Sequence, residues 1–561
     1  MLKIDIRYDP TAAFALPQAS QQDGTHLWQS PGISVSIRLD QGYRLREFSW
    51  GILIDDGRVD TPDLPHQRWN GAFVALKWPC GTTHMSILTD RLGTVPVYFA
   101  RDANHWLIAS GLKSFVEAGF AEPDFHACWQ LLMFNTPLWQ KSLLKGVSLA
   151  PPASEIRFGD GAGPQMQGYW EAPAVVEGLL ERQKILPELI HLLRRAHCRV
   201  VNPSGRWMLP VTGGLDSRIN LALHRDDWSS AMLFHSAAGG DDEERIADRI
   251  AAVVRQPLYK VDRSESVICS LENDIWTETG ELNFAQRWLE HTSRSVAERL
   301  PGGMLVDGYM QDVMFNPIIP TADPNATTLK RSLATASYYA KMIGLTPEKS
   351  ELAEVLDLFR AEYSLANPSS ALHASQRYYL HNRSRRYVYG MVRLAQNFAP
   401  VATPGLDIDL LDFGFALPWK NRVGAELYRC AIIQLAPDLA AVTYDKTGLP
   451  LSAPPGKSWR LKMRNKAEHY LDHLWPGRPF FNGADADLPN LLRRHPIFAA
   501  RLCNLLAASG WLANMLGRTY DVAHLVGRVA RGEQQLRPIV LGMVTIALLE
   551  NAVRMSAGNR Q

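Results

Sequence analysis

The chain has 561 residues, of which 46% are apolar and 21% are charged, values typical of globular proteins with large buried cores. This length predicts about three domains. The formal net charge of +2 gives no general reason to expect binding to nucleic acid or to a membrane surface. No uninterrupted run of about 18 apolar residues occurs, so we expect no membrane span.

Residues 1–170 contain short strand-like runs separated by Gly, Pro, Asp and Asn. They include SVSIRLD, SWGILID, GAFVALKW and VPVYFA. Runs of this length between turn residues predict an antiparallel, β-rich domain over residues 1–170.

From about residue 180 the pattern alternates between helix and strand. An amphipathic helix (LPELIHLLRRAHCRV) is followed by a buried strand (RWMLPV), a helix (SRINLALHR), a strand (AMLFHSA) and a further helix (EERIADRIAAVV). This alternation predicts an α/β domain over residues 180–460, with a parallel sheet covered by helices on both faces. Residues 461–561 are nearly all helical in pattern, and we expect a helical C-terminal extension that acts as a cap.

The cysteines and the first residues of the chain concern its compartment. Six cysteines are spread along the sequence without a CxxC pair: Cys80, Cys128, Cys198, Cys269, Cys430 and Cys503. They match neither a metal knuckle nor the disulfide framework of a small domain. The first residues also lack the charged and then apolar pattern of an export signal. We therefore expect a reduced, cytoplasmic protein.

The strongest chemical signal is the segment VTGGLDSR at residues 211–218. It follows an apolar strand and leads into a helical pattern, so that bare backbone amides and the positive end of a helix face one point. Glycine allows close approaches that a β-carbon would block. The alternative is an ordinary helix cap, but a cap does not require two consecutive glycines. We predict that a pyrophosphate is held by Thr212, Gly213, Gly214, Leu215, Asp216 and Ser217, with Asp216 as a ligand of the accompanying Mg²⁺.

This segment resembles the pyrophosphate loop of the asparagine synthetase family, a branch of the ATP-pyrophosphatase fold, with Thr212 in place of the usual serine. Three further segments resemble landmarks of that family in the same order: FHSAAGGDDEERIADRIAAVV, LVDGYMQDVMF and YDKTGLPLS. The resemblance covers nearly the whole chain to about residue 460. It implies a parallel-sheet ATP-pyrophosphatase synthetase domain that uses ATP and Mg²⁺.

The resemblance also implies roles for individual residues. The backbone from Leu233 to Ser236 would face adenine, and Gly308 would lie against ATP. Asp312 would be the second magnesium ligand. Lys446 would steady negative charge during the second half-reaction.

The turn that contains Gly308 departs from the family pattern. Met310 and Gln311 stand where two glycines are usual. Tyr309 occupies the place of a tyrosine that, in the β-lactam-forming branch, assists deprotonation of the nucleophile. The alternative for Tyr309 is a packing or adenine-side role.

The N-terminal half resembles the glutaminase domain of the same family, through LTDRLGTVPVYFA, GAFVALKW and SLLKGVSLAPPASEIRF. This implies an αββα arrangement of the kind found in N-terminal nucleophile hydrolases. The nucleophile of that domain is a cysteine at the N-terminus. This sequence begins Met1-Leu2-Lys3 and its first cysteine is Cys80. We therefore expect a degenerate glutaminase-like domain and a structural role for Cys80.

Together these features predict an ATP-dependent ligase that forms an amide through an acyl-adenylate and releases AMP and pyrophosphate. Two branches that lack the cysteine are similar in this respect: β-lactam synthetases and lasso-peptide cyclases. A peptide macrolactam former is the preferred specific function, with a peptide substrate and a processing protease or peptide-delivery protein as partners. The alternatives are a ligase acting on a small amino acid and a non-catalytic nucleotide-binding scaffold.

Two charged runs are weaker signals. The acidic run at residues 241–244 (DDEE) could bind metal, but a helix start is favoured because carboxylates suit a helix N-terminus. The basic run at residues 383–386 (RSRR) could grip phosphate or an acidic peptide. A solvated helix face is an equally good interpretation.

Overall fold

The protein is represented by a computed structural model. It describes residues 2–11, 18–30, 32–39, 42–59, 62, 65–78, 81–102, 105–159, 163–174, 176–201, 205–237, 242–262, 282–315, 371–453, 487–517, 521–533 and 536–558, with single positions or short stretches between 337 and 360 and at 459 and 463.

The N-terminal half forms two antiparallel sheets. A seven-stranded sheet has the order β11-β9-β10-β1-β4-β3-β2, and a six-stranded sheet has the order β13-β12-β8-β7-β6-β5. The strands are β1 Lys3–Tyr8, β2 Gln18–Gln22, β3 Thr25–Ser30, β4 Ile33–Arg38, β5 Arg44–Phe48, β6 Gly51–Asp55, β7 Phe73–Lys77, β8 Met85–Thr89, β9 Tyr98–Asp102, β10 His105–Ala109, β11 Ser148–Leu149, β12 Ser154–Phe158 and β13 Gln165–Gly168.

The two sheets pack face to face because their strands alternate apolar and polar residues. In β4 the side chains of Ile33, Val35 and Ile37 are buried, whereas the residues between them are more exposed. A period of two sends successive side chains to opposite faces of a sheet. The inward residues of β1 and β4 share one core with those of β6, β7, β8 and β12. The antiparallel sheets predicted from the sequence are confirmed, and we call this unit the sandwich.

The outer faces of the sandwich differ from each other. The seven-stranded sheet is covered by α1 (Lys113–Ala118) and α2 (Phe125–Phe134). The outer face of the six-stranded sheet carries an aromatic cluster that includes Trp50, Trp69 and Phe73. No helix longer than one 3₁₀ turn covers that second face in the described part of the sandwich. The expected helical layer is therefore present on one side only among these residues.

The middle of the chain forms a five-stranded sheet in the order β16-β15-β14-β17-β18, and every pair is parallel. Its strands are β14 Trp207–Pro210, β15 Ala231–Ala237, β16 Leu258–Asp262, β17 Met304–Val306 and β18 Val401–Ala402. The helices of this region are α3 Arg182–Cys198, α4 Asp216–Leu223, α5 Asp242–Val254, α6 Arg287–Arg299, α7 Gln311–Phe315, α8 Ala371–Tyr378, α9 Tyr389–Ala395, α10 Ile408–Ala416, α11 Trp419–Arg422, α12 Glu426–Leu435 and α13 Pro437–Ala441.

Helices cover both faces of this sheet, as predicted. Leu209 of β14 packs with residues of α4, α5 and α13 on one face. Its neighbour Met208 packs with residues of α6 and α9 on the other face. Burial on both faces explains why β14 reads as a continuous apolar run. A short hairpin follows α13, made of β19 (Thr443–Tyr444) and β20 (Leu449–Pro450).

The last described part of the chain is helical, in agreement with the sequence pattern. It comprises α14 Asp487–Arg494, α15 Pro496–Ala507, α16 Gly510–Leu516, α17 Val522–Ala530 and α18 Arg537–Gly558. These helices share a core with α1 and α2, so they pack on the sandwich. A β-carbon on Gly542 of α18 would lie 3.0 Å from Cδ2 of Leu132 in α2.

Helix α18 is the one helix of the described residues that is long and apolar enough to cross a membrane, and 67% of its most apolar stretch is buried inside the protein. The pair α15 and α16 reaches the same length and apolarity only when taken together, and it is bent by 70°. A buried core helix of a globular protein has the same composition as α18.

Candidate active site at the carboxyl edge of the parallel sheet

Two loops meet where the central strands of the parallel sheet end. Residues 211–215 follow β14 and lead into α4, while Asp307 and Gly308 follow β17. From β14 the chain builds β15 and β16 on one side and then β17 and β18 on the other. The strand order therefore reverses between β14 and β17. In open α/β sheets the crevice outside such a reversal is the usual ligand position.

The loop after β14 is held by its own hydroxyl groups. The amide of Gly214 donates to Oγ1 of Thr212 at 3.2 Å, and Oγ of Ser217 lies 3.4 Å from the carbonyl oxygen of Thr212. Leu215 is the N-cap residue of α4, and no side chain caps this helix. Neither Asp216 nor Ser217 acts as the N-cap, so the simple capping interpretation does not describe this turn.

Gly213 is required for a close approach to the β19–β20 hairpin. A β-carbon on Gly213 would lie 2.6 Å from Cβ of Asp445, and the amide of Asp445 is 3.4 Å from the carbonyl oxygen of Gly213. The buried guanidinium of Arg218 reinforces this contact, donating to the carbonyl oxygens of Gly213 (3.2 Å) and Val442 (2.7 Å). These hydrogen bonds thus hold the loop against the hairpin.

The turn after β17 brings a second set of groups to the crevice. The amide of Tyr309 donates to Oδ1 of Asp307 at 2.7 Å. Met310 has φ of 71°, a left-handed conformation that glycine adopts most easily. A glycine would therefore adopt this position with less backbone strain than Met310 does. The backbone then enters α7, which carries Asp312 in its first turn.

Three carboxylates share the crevice. Burial, the Asp312 carboxylate and the Asp307 carboxylate raise the pKa of Asp216 well above its usual value. Burial and Asp312 raise the pKa of Asp307 to about 6, and burial raises the pKa of Asp312. Like charges held close together in a partly buried site favour the binding of a cation or a proton.

Lys446 supplies the opposite charge. It lies in the turn of the β19–β20 hairpin and is exposed. Its ammonium group partly offsets the rise in the pKa of Asp216 and of Asp312, and the charge of Arg383 does the same at Asp312. In the structure, the predicted residues Asp216, Asp312 and Lys446 thus interact electrostatically with one another.

A buried hydrogen-bond network lies beneath the carboxylates. The hydroxyl of Tyr428 is 3.3 Å from Oδ1 of Asp216 and 2.9 Å from Oε1 of Gln311. Nε2 of Gln311 donates to Oδ1 of Asn220 at 3.2 Å. Sequence reasoning missed this network and Asp307. The available signals were a carboxylate directly after a short apolar strand and a tyrosine on the apolar face of α12.

The residues expected near adenine lie on β15, beside β14, which is the strand that precedes the loop at residues 211–215. Leu233 is fully buried and pairs with Leu209 of β14 and Leu258 of β16. Oγ of Ser236 is 2.9 Å from Oγ1 of Thr292 in α6. Contact with adenine at Leu233 and Ser236 stays a prediction.

Tyr309 is buried away from the carboxylates. Its hydroxyl accepts a hydrogen bond from Oγ of Ser384 at 3.2 Å, and its ring meets that of Tyr389 edge-on at 4.9 Å. Burial raises the pKa of this phenol well above its usual value. Burial and these contacts fit the packing interpretation, and a role of Tyr309 in deprotonation stays a prediction.

The charged runs have structural roles. Helix α5 begins within the acidic run, and Oε1 of Glu244 is 2.7 Å from Nζ of Lys260. Asp241 lies outside the described residues. In the basic run Arg385 and Arg386 are buried and only Arg383 is exposed. Of the two interpretations of this run, a solvated helix face is therefore wrong for two of the three arginines.

The described cysteines offer no activated thiol in the sandwich. Cys128 of α2 is fully buried, and burial raises the pKa of its thiol far above the usual value. Cys198, Cys430 and Cys503 lie outside the sandwich and form no disulfide. Cys80 and Cys269 lie outside the described residues.

The carboxylates of this site suit a divalent cation that is bound together with a phosphorylated ligand. Among the described residues no three His, Cys, Asp or Glu side chains are arranged to hold a metal ion by themselves. Asp216 and Asp312 would hold Mg²⁺ together with ligand oxygens, which is the usual way in which proteins bind Mg²⁺ with nucleotides.

Comparisons with known proteins add no assignment. No protein-family model matches the chain, and no curated protein is significantly similar to it.

Proposed function

We propose that this protein uses ATP to activate a carboxylate as an acyl-adenylate and then forms an amide, without hydrolysing glutamine. One observation carries the proposal: the loop at residues 212–217 packs against Gly308 at the reversal point of a parallel sheet, and its Asp216 interacts electrostatically with Asp307, Asp312 and Lys446. A negatively charged polyphosphate with Mg²⁺ is the ligand whose charge pattern this crevice complements.

In the first step, an oxygen of the substrate carboxylate attacks the α-phosphorus of ATP. The bond from this phosphorus to the bridging oxygen of the β-phosphate breaks, and pyrophosphate leaves. Backbone amides of the loop and of the α4 N-terminus, which no side chain caps, stabilise the charge on this leaving group. A Mg²⁺ ion held by Asp216 and Asp312 would neutralise part of the same charge.

In the second step, the nitrogen of an amine attacks the acyl carbon, and the bond from this carbon to the AMP oxygen breaks. AMP leaves with the electron pair, and the amine loses one proton to a base. Lys446 is exposed and electrostatically coupled to Asp216 and Asp312. We assign it to stabilise negative charge on the acyl group and on departing AMP.

The amine comes from a source other than glutamine in this proposal, which is supported by the full burial of Cys128, the one cysteine described in the N-terminal half. Within the class, we propose a peptide macrolactam former. Joining an amine and a carboxylate of the same molecule gives a large proximity advantage. A ligase for a small amino acid is the alternative substrate class.

Exchange of labelled pyrophosphate into ATP tests the proposal with purified protein and a panel of candidate acids. Exchange that requires Mg²⁺ and is stimulated by a linear peptide supports the macrolactam former, whereas stimulation by aspartate alone supports the alternative. Asp216→Asn should abolish exchange. Asp438→Asn, which removes only a surface pair with Arg225, should leave exchange unchanged. Folded protein without exchange for any acid would favour a nucleotide-binding scaffold.

A further inference from the structure

A π-helical segment, Tyr379–Val388, lies between α8 and α9 and connects the sandwich with the crevice. π-helical geometry is rare, is mostly confined to a single turn, and is frequent at functional sites. Here it spans ten residues. Such a segment needs support from its surroundings, because its hydrogen-bond pattern is less favourable than that of an α-helix.

The sandwich supplies this support through two arginine side chains. Arg385 donates from Nε to the carbonyl oxygen of Gly93 (2.9 Å) and from Nη2 to that of Ala150 (2.6 Å). Arg386 donates to two further sandwich carbonyls, those of Trp139 at 3.2 Å and Lys141 at 2.8 Å. Each fork therefore spans two backbone carbonyls, a geometry that the point charge of lysine does not reproduce.

The space beside Arg385 is shaped for its guanidinium. A β-carbon on Gly93 would lie 2.6 Å from Nε of Arg385, and Gly93 has φ of 59°. Asn382 adds a third connection, since its Oδ1 accepts from the amide of Trp139 at 2.6 Å.

The same segment contacts the turn after β17. Oγ of Ser384 donates to the hydroxyl of Tyr309 at 3.2 Å and lies 3.1 Å from Sδ of Met310. Arg383 is exposed and its charge acts on Asp312. Within residues 382–386, Asn382, Arg385 and Arg386 thus bond to the N-terminal half of the chain, whereas Ser384 contacts the turn after β17.

We propose that the sandwich positions the crevice: Arg385 and Arg386 fix the π-helical segment, and the segment in turn fixes the turn at residues 308–312 and the placement of Arg383. Arg385 and Arg386 are positioning residues in this account. The sandwich then has a positioning function, although the proposed reaction involves no hydrolysis of glutamine. The effect on amide formation rests on the proposed function, whereas the effect on the turn does not.

Hydrogen–deuterium exchange of the full chain tests the structural part. In Arg385→Lys and Arg386→Lys, we expect amides of residues 308–315 to exchange about threefold faster or more, because local opening becomes less costly. Arg46→Lys is the control. Arg46 is a partly buried arginine of β5 that donates from Nη2 to the carbonyl oxygen of Val59 (2.7 Å) and to Oδ2 of Asp55 (2.7 Å), so these bonds stay within residues 46–59 of the sandwich.

Unchanged exchange at residues 308–315 in both lysine variants would overturn the proposal, as would an equal increase in Arg46→Lys. If either lysine variant unfolds, Asn382→Ala provides a milder test, since it removes one bond to Trp139 and should raise exchange at the same peptides.

Pyrophosphate exchange tests the consequence for activity. We expect Arg385→Lys and Arg386→Lys to lower kcat about tenfold, since misplacement of reacting groups reduces rate, with KM for ATP changed by less than about twofold. Arg46→Lys should retain kcat. A wild-type protein without exchange activity would remove the proposed function, and the hydrogen-exchange result would still decide the positioning role.

Discussion

Gly308 lies directly against Asp216: a β-carbon on Gly308 would be 2.5 Å from Cβ of Asp216 and 3.2 Å from its Cγ. Two loops from neighbouring strands therefore touch at the carboxylate that is central to the proposed site. This contact fixes where the Asp216 side chain can lie, because the backbone of Gly308 cannot move aside freely.

Gly308→Ala should displace Asp216 and lower ATP–pyrophosphate exchange at least about tenfold, because overpacking forces side chains or backbone to shift. The measurement is the exchange rate beside the melting temperature. Gly159→Ala is the control, since a β-carbon there meets nothing within 4 Å. Equal exchange rates in the two variants would show that the contact between Gly308 and Asp216 does not affect activity.

The two loop glycines should differ in sensitivity. A β-carbon on Gly213 would lie 2.6 Å from Cβ of Asp445, whereas one on Gly214 would lie 3.3 Å from Oγ1 of Thr212, a hydroxyl that can rotate. We expect Gly213→Ala to reduce ATP affinity about tenfold more than Gly214→Ala, because only the first separates the loop from the hairpin. Titration calorimetry with ATP and Mg²⁺ measures this, and the reverse order would contradict it.

The buried side chain of His197 should make the folded protein less stable in acid. It is buried, its ring is 4.2 Å from that of His224, and burial together with His224 holds its pKa well below 6.5. Below pH 6.5 the unfolded chain binds this proton and the folded chain does not, so stability falls as the pH falls. The stability contribution is complete above pH 6.5 and is lost progressively as the pH falls below it.

The experiment compares melting temperatures of wild type, His197→Gln and His191→Gln between pH 7.5 and 5. His191 is exposed on the same helix. The difference between wild type and His197→Gln should shift against wild type as the pH falls, whereas His191→Gln should follow wild type. Parallel curves for all three proteins would contradict the account.

Glu550 holds two C-terminal helices together. It is 5% exposed and accepts from Oγ of Ser509 (2.5 Å) and from the amides of Gly510 (3.0 Å) and Trp511 (3.2 Å) at the start of α16. Glu550→Ala leaves these buried donors without a partner and should cost about 3 kcal/mol. Glu533→Ala removes a more exposed pair with Arg528 and should cost about 0.5 kcal/mol. Urea unfolding monitored by circular dichroism measures both, and similar losses would refute the capping role.

The general architecture followed from local patterns. Alternating strands of the sandwich and the continuous apolar run of β14 carry their periodicity in the sequence, so both kinds of sheet could be predicted. The position of the crevice followed from the glycine pair at residues 213–214. The sequence also placed Asp216, Asp312 and Lys446 among the candidate residues before their proximity was known.

Long-range partners could not be predicted. The sequence of residues 383–386 reads as a solvated basic run because nothing local shows that Arg385 and Arg386 donate to carbonyls more than 230 positions away. Asp307 and Tyr428 become significant only when β17 and α12 meet at Asp216. Likewise, the packing of α18 on the sandwich depends on contacts between opposite ends of the chain.

The most direct test of the central claim is Mg²⁺-dependent binding of ATP to wild type and to Asp216→Ala, measured by titration calorimetry with folded protein. We expect wild type to bind ATP with Mg²⁺ and Asp216→Ala to lose at least about a hundredfold in affinity, since mutation of groups that only support a metal ligand already costs about tenfold to a hundredfold. Equal affinity of the two proteins, or binding that does not depend on Mg²⁺, would contradict the account.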